Sequence, residues 1–170
     1  MSKACKKGVS VLLIVALALC ICIQPAAAAA AEFKTTQQFL DFLDEKDIRY
    51  SYIGVDGKSE QVNVSFSLDN FDSARCSIFF KNDFEEVSLR IWDIVKVSAG
   101  KTFTLSTINS LNKDFKFVAF VFDESDSTVQ AELDMYIDPD HCARSVYDAM
   151  MIMFQIIDDD GVAEKLHSLE

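Results

Sequence analysis

In three separate runs of this sequence, apolar side chains fall on every second residue. The runs are Val62, Val64, Phe66 and Leu68; then Val87, Leu89 and Ile91, resuming at Val95 and Val97; then Val129, Ala131, Leu133, Met135 and Ile137. A period of two sends alternate side chains to opposite faces of an extended chain, so each run reads as a strand with one buried face. Asn63, Ser65 and Ser67 interleave the first run. In the second, Trp92 and Ile94 fall on the other face, which reads as a central strand partly covered on both sides. Such a chain must build a sheet that is apolar on one side, and must bury that side.

The rest of the chain supplies the cover. Phe39, Leu40, Phe42 and Leu43 recur at helical spacing behind Thr35-Thr36-Gln37-Gln38, which has the form of a capping box with Thr35 as N-cap. Ile108, Leu111 and Phe115 predict a second helix capped by Thr104 or Ser106. A third and longest helix is expected over residues 138–157, with Asp138 as N-cap and Pro139 at its first position. Its buried stripe is Ala143, Val146, Tyr147, Met150, Met153, Phe154 and Ile157. Further strands are expected over residues 48–55, 75–80 and 117–122. Asp56-Gly57 and Asn82-Asp83 mark turns, and residues 162–169 can add another short turn of helix. The order is helix, three or four strands, helix, two strands, helix. That order predicts an α+β two-layer sandwich, an antiparallel sheet with helices on one face.

Residues 1–31 read differently. Lys3, Lys6 and Lys7 precede an apolar run over residues 9–23, Gln24-Pro25 breaks it, and six alanines follow at 26–31. A short apolar run between a basic start and small-residue cleavage positions is a secretory signal peptide. Residues 32–170 then form a single domain placed outside the cytoplasm, secreted or periplasmic. An uncleaved N-terminal membrane anchor is the lesser alternative. Leu19 before Cys20 and Ile21 before Cys22 do not suit lipoprotein processing. The full chain of 170 residues carries a net charge of −11; removing the leader leaves 13 basic against 27 acidic residues, or −14. Such a surface repels phosphate backbones and anionic lipid, which excludes nucleic acid as the natural partner and leaves solubility as the ordinary reason for the charge. Cys5, Cys20 and Cys22 go with the leader. The mature domain keeps Cys76 and Cys142, which can form one disulfide or remain two buried thiols.

The stretch Thr107-Ile108-Asn109-Ser110-Leu111-Asn112-Lys113-Asp114-Phe115-Lys116-Phe117 resembles the helix-to-strand signature of the YbjN-domain family. Two strands and a long helix follow it, as in that family, and Cys76-Ser77-Ile78-Phe79 is similar to an earlier strand. Ser110 and Leu111 stand where the signature usually carries Glu and Trp. The resemblance spans residues 35–158. It implies a fold similar to type III secretion chaperones, small dimeric α+β proteins that bind extended partner segments, and a regulatory rather than a catalytic role. It brings no catalytic, cofactor or metal residues.

The chain's own motifs point the same way. Ser98-Ala99-Gly100-Lys101-Thr102 has the end of a phosphate-binding loop, but Val95 stands where that motif needs glycine. His141 and Cys142 are neighbours on an expected helix and diverge by about 100°, which does not suit a common metal. The runs Asp158-Asp159-Asp160-Gly161 and Asp123-Glu124-Ser125-Asp126 lack the alternate acids of a calcium loop. Asn63-Val64-Ser65 is a glycosylation sequon inside an expected strand. No catalytic residue, cofactor or metal is therefore expected. Met151, Ile152 and Ile156 fall outside the buried stripe of the last helix and mark a candidate protein interface, unless residues 162–169 fold over them. The expectation is an exported, non-enzymatic binding or regulatory module with a protein partner or a second copy of itself. The alternatives are a small secreted enzyme with a carboxylate site, and a dimeric structural or envelope-stress protein.

Overall fold

Inward side chains of six antiparallel strands line up in continuous rows. The computed structural model of the chain describes residues 31–55, 58–81 and 85–170. Residues 1–30, which hold most of the expected leader, and the expected turns at Asp56-Gly57 and Asn82-Asp83 lie outside the described residues. The elements are α1 (Lys34–Glu45), β1 (Tyr50–Val55), β2 (Ser59–Phe66), β3 (Ala74–Lys81), β4 (Glu86–Lys96), α2 (Lys101–Asp114), β5 (Ala119–Asp123), β6 (Thr128–Tyr136), α3 (Cys142–Ile157) and α4 (Asp160–His167). The strands form one sheet in the order β1-β2-β3-β4-β6-β5. The α+β architecture read from the alternation is what the chain adopts, with four strands before α2 and a separate fourth helix.

One inward row joins Tyr50, Val64, Cys76, Ile91, Ala131 and Phe120 across all six strands. The next joins Tyr52, Val62, Ile78, Leu89 and Leu133. Phe39, Leu40 and Leu43 of α1, Ile108 and Leu111 of α2, Val146, Met150 and Met153 of α3, and Val162 and Leu166 of α4 complete a single core with these rows. Leu89, Ile91, Phe120, Leu133, Val146 and Met150, all on expected inward faces, are all buried.

Four boundaries differ from the sequence reading. Helix α1 opens at Lys34 with Phe33 as N-cap and no side-chain cap. Thr36 is buried, and the Gln38 side chain lies 3.4 Å from Cys142 Sγ, so the expected capping box does not form. Helix α2 starts at Lys101 behind Gly100 rather than at Thr104 or Ser106; the Thr104 hydroxyl donates back to Gly100 O at 3.2 Å inside the helix. Helix α3 begins at Cys142, because Asp138 closes a turn of its own. Its carboxylate accepts the Asp140 N–H at 3.0 Å, and its carbonyl accepts the His141 N–H, also at 3.0 Å. Strand β5 begins at Ala119, leaving Phe117 outside the ladder.

Helix α4 is tied in at both ends. Asp159 caps it, accepting the N–H groups of Gly161 and Val162. Beyond it, the Leu169 carbonyl accepts the Ser98 and Ala99 N–H groups at 2.8 and 3.0 Å, pinning the end of the chain to the β4–α2 connection.

Candidate functional site

With the helices packed on one side, the other side of the sheet is open. Strand alternation puts Ser51, Asn63, Ser77, Arg90, Glu132 and Ala119 in one row of that face. Ile53, Gln61, Phe79, Ser88 and Asp134 form the next. Arg90 is the centre of this face. Its guanidinium donates to Asp134 Oδ1 at 2.8 Å and to the Leu89 and Leu133 carbonyls at 2.8 and 3.2 Å, and Nε lies 3.7 Å from Glu132. Partial burial pushes the Asp134 carboxyl up, but hydrogen bonds from Ser88 and Arg90 and the charge of Arg90 outweigh it, so its pKa is lowered.

Aromatic side chains stand around this charged centre with little cover. Tyr136 is 83% exposed and Phe117 82%. Phe117 lines a groove of about 440 Å³ with Lys116, Ala119, Glu132 and Asp134, beside the stretch of β6 that runs past the end of β5. At the opposite end of the face, β3 and β4 part. Their pairing stops at Cys76 and Ile91, and the β4–β6 register shifts between Ile91 and Val95. Between Ile91 and Val95, β4 has three residues opposite one on β6, two more than a regular ladder, and Asp93 in the middle has φ 52°, a left-handed conformation costly for a residue with a Cβ but tolerated by Asp. The gap is a crevice of about 420 Å³ walled by Ser65, Arg75, Ser77, Trp92 and Asp93. Trp92 is 45% exposed there, so the second face of β4 is not covered as its apolar residues suggested.

Chemically, this face offers rings, hydroxyls and a guanidinium already held by two carboxylates. No group of three or more His, Cys, Asp or Glu among the described residues is placed to hold a metal. The acidic runs that hinted at calcium have local partners: Asp158 accepts the Asp69 and Asn70 N–H groups at 3.1 and 2.8 Å, and Asp123 accepts from Ser125. Lys101 of the glycine-lysine motif pairs with Glu124 at 2.7 Å. His141 faces Asp138 at 3.2 Å, and His167 is held between Glu170 and Asn70, with Glu170 raising its pKa. Asn63 of the sequon is buried within β2.

The structure keeps the two cysteines as free thiols. Cys76 lies in the middle of the inward face, where burial pushes its thiol up to about 12. Cys142, at the start of α3, contacts Thr35 O and Gln38. The disulfide that an even pair allowed is not made. On α3, Met151 and Ile156 are half-buried against the core, and only Ile152, at 46%, remains exposed. Val162, Leu166 and Leu169 of the last segment are buried in the same core.

Sequence reasoning passed over Tyr136, although the signal was present, and read Trp92 as partly covered on a central strand. Tyr136 falls on the same parity as Glu132 and Asp134, the water-facing one. It passed over Glu60 as well, which shares the inward parity of Val62 and Val64. Compared with protein-family models, curated proteins and solved structures, the chain matches none. No helix among the described residues is long and apolar enough to cross a membrane.

Proposed function

We propose that this chain is an exported, non-enzymatic protein-binding module that engages its partner through the open face of the sheet. The observation that carries the reading is the exposed Tyr136 and Trp92, which strand alternation places on the side of the sheet that no helix among the described residues covers, with exposed Phe117 beside the β5–β6 edge. Rigidly based aromatic side chains around a partly desolvated arginine are what protein interfaces use as anchors. The resemblance to the YbjN-domain family, with its chaperone-like fold, supports a binding or regulatory role. The acidic charge of the mature domain favours a partner segment that is basic at its rim and apolar where it meets the rings. Against a carboxylate enzyme, Glu132 and Asp134 are engaged by Arg90 and are not left to exchange protons.

The test is affinity capture from the native cell envelope with the mature domain as bait, beside Trp92→Ala and Tyr136→Ala baits. A partner retained by the parent and lost by either variant, with unfolding temperatures unchanged, supports the reading. Capture that is indifferent to both changes overturns the assigned face.

A further inference from the structure

Glu60 projects from β2 to the helix side and is 2% exposed. Its carboxylate accepts the Glu32 N–H at 2.6 Å, the Phe33 N–H at 3.1 Å and the Tyr52 hydroxyl. The Thr36 hydroxyl, fully buried, sits beside it without reaching hydrogen-bond geometry. None of the ion pairs among the described residues includes Glu60. Carboxylates this far from water are nearly always matched by a cation, since burying an uncompensated charge is costly. The carboxylate is well supplied with hydrogen bonds and lacks its counter-charge.

The residue whose nitrogen it holds most closely follows six alanines. Ala29 and Ala31 occupy the two small-residue positions required for a cut after Ala31. We propose that the leader is removed between Ala31 and Glu32, and that the new α-ammonium of Glu32 is the missing cation, seated on Glu60. The proposal rests on the export reading of residues 1–31. A leader peptidase adds one water across the Ala31–Glu32 bond. Ala31 departs as a carboxylate, and the Glu32 nitrogen becomes an amine that takes up a proton at neutral pH. The nitrogen need not move, because it already lies at contact distance. A neutral N–H donor is replaced by a charged group with three donors. The bond from the Ala31 N–H to Gln37 Oε1 is lost with the leader, leaving Gln37 on Asp41. The groups facing the new amine are Glu60 from β2, the Tyr52 phenol from β1, Thr36 from α1 and the exposed carboxylate of Glu32 itself. Lys34, the nearest cation along the chain, is taken by Asp140 at 2.6 Å.

N-terminal sequencing of the exported protein should begin at Glu32. A different first residue overturns the proposed site while leaving export intact; a chain retained in the cell with Met1 in place counts against export itself. Purified chains starting at Glu32 and at Ala30 test the ion pair without reference to export. The α-amine of the shorter chain should titrate about one unit or more above the ordinary ~7.7–8.0. A folded-state pKa raised in this way stabilises fully below about 8 and fades as pH rises through the raised value. The shorter chain should therefore have a roughly tenfold larger folding constant at pH 7, an advantage lost by about pH 9.5. Glu60→Gln should abolish the difference. If that variant does not fold, Nα-acetylation of the Glu32 chain should remove the advantage with Glu60 intact. Equal stability of the two chains at pH 7, or an ordinary α-amine pKa, overturns the proposal.

Discussion

The side-chain amide of Asn112 grips the outer edge of the sheet at Phe120: Nδ2 donates to the Phe120 carbonyl at 2.9 Å, and the Phe120 N–H donates to Oδ1 at 2.6 Å. The amide occupies the position a seventh strand would take, and so blunts an edge that otherwise invites pairing with another chain. Asn112→Ala should destabilise the fold by about 1–3 kcal/mol, the cost of a backbone pair left without partners, and should raise the tendency to associate. Denaturant unfolding and light scattering read the two effects. A variant as stable and as monodisperse as the parent would remove the clasp from this account.

Leu133 stands in the central inward row between β4 and the helices and is buried. Leu133→Ala should cost about 2–5 kcal/mol through lost burial and the cavity left behind. Ile152→Lys, on the exposed side of α3, should change stability by less than about 0.5 kcal/mol. Sedimentation of the same pair reads whether a second copy uses this side of α3: a dimer that Ile152→Lys dissolves would place one there.

The two thiols should be inert while the chain is folded. Burial raises both pKa values, that of Cys76 to about 12, and a thiol that stays protonated is a poor nucleophile. Alkylation at neutral pH should label neither in native protein and both in denaturant, and reducing agent should leave the unfolding temperature unchanged. An intact mass two hydrogens short without reductant would show them bonded.

Alkaline and acid limits of stability should separate at the Tyr52–Glu60 pair. Burial and the Glu60 carboxylate push the Tyr52 phenol up to about 12. Its contribution is therefore complete below its ordinary value of about 10 and lost between about 10 and 12. For Glu60, burial opposes the charge, but the hydrogen bonds from the Tyr52 hydroxyl and the Glu32 and Phe33 N–H groups outweigh it and lower the pKa. That contribution is present above about 4.5 and lost as the solution is acidified. Tyr52→Phe should flatten the alkaline limb of unfolding midpoint against pH, and Glu60→Gln the acid limb. Limbs unchanged in both variants would mean that neither group is buried as described.

A period of two was enough to read the inward faces of the strands, and a period of 3.6 most of the helix stripes, although on α3 Ala143 and Tyr147 are only half-buried while Cys142 and Ala149 are buried. Helix starts were less legible. Thr35, Thr104 and Asp138 are all sound capping residues, yet tertiary packing decided the first two cases and a local turn the third. Thr36 and Thr104 are drawn into the core, and Asp138 closes a local turn before α3 begins. The open face escaped notice for a related reason. Alternation says that Trp92 and Tyr136 point away from the core, but whether another layer covers that side depends on where the helices pack. The bulge at Asp93 was visible only as a gap in the run between Ile91 and Val95.

The strand order β1-β2-β3-β4-β6-β5 sets when the molecule can finish folding. Strands β1 to β4 pair with their sequence neighbours and can form as hairpins while the chain is still emerging. Strand β5 borders only β6, which follows it, and β6 must insert between β5 and β4. The inward face of the meander waits longer, for α3 and α4, and the corner after β4 is fastened by Leu169, which follows α4. A chain made from its N-terminus thus carries an unfinished, apolar sheet until β6, α3 and α4 have joined it. Non-local closure of this kind is slow and exposes sticky intermediates. The first half of the fold is therefore completed only by the second, and the apolar face of β1–β4 is incompletely covered until β6 and the last two helices arrive.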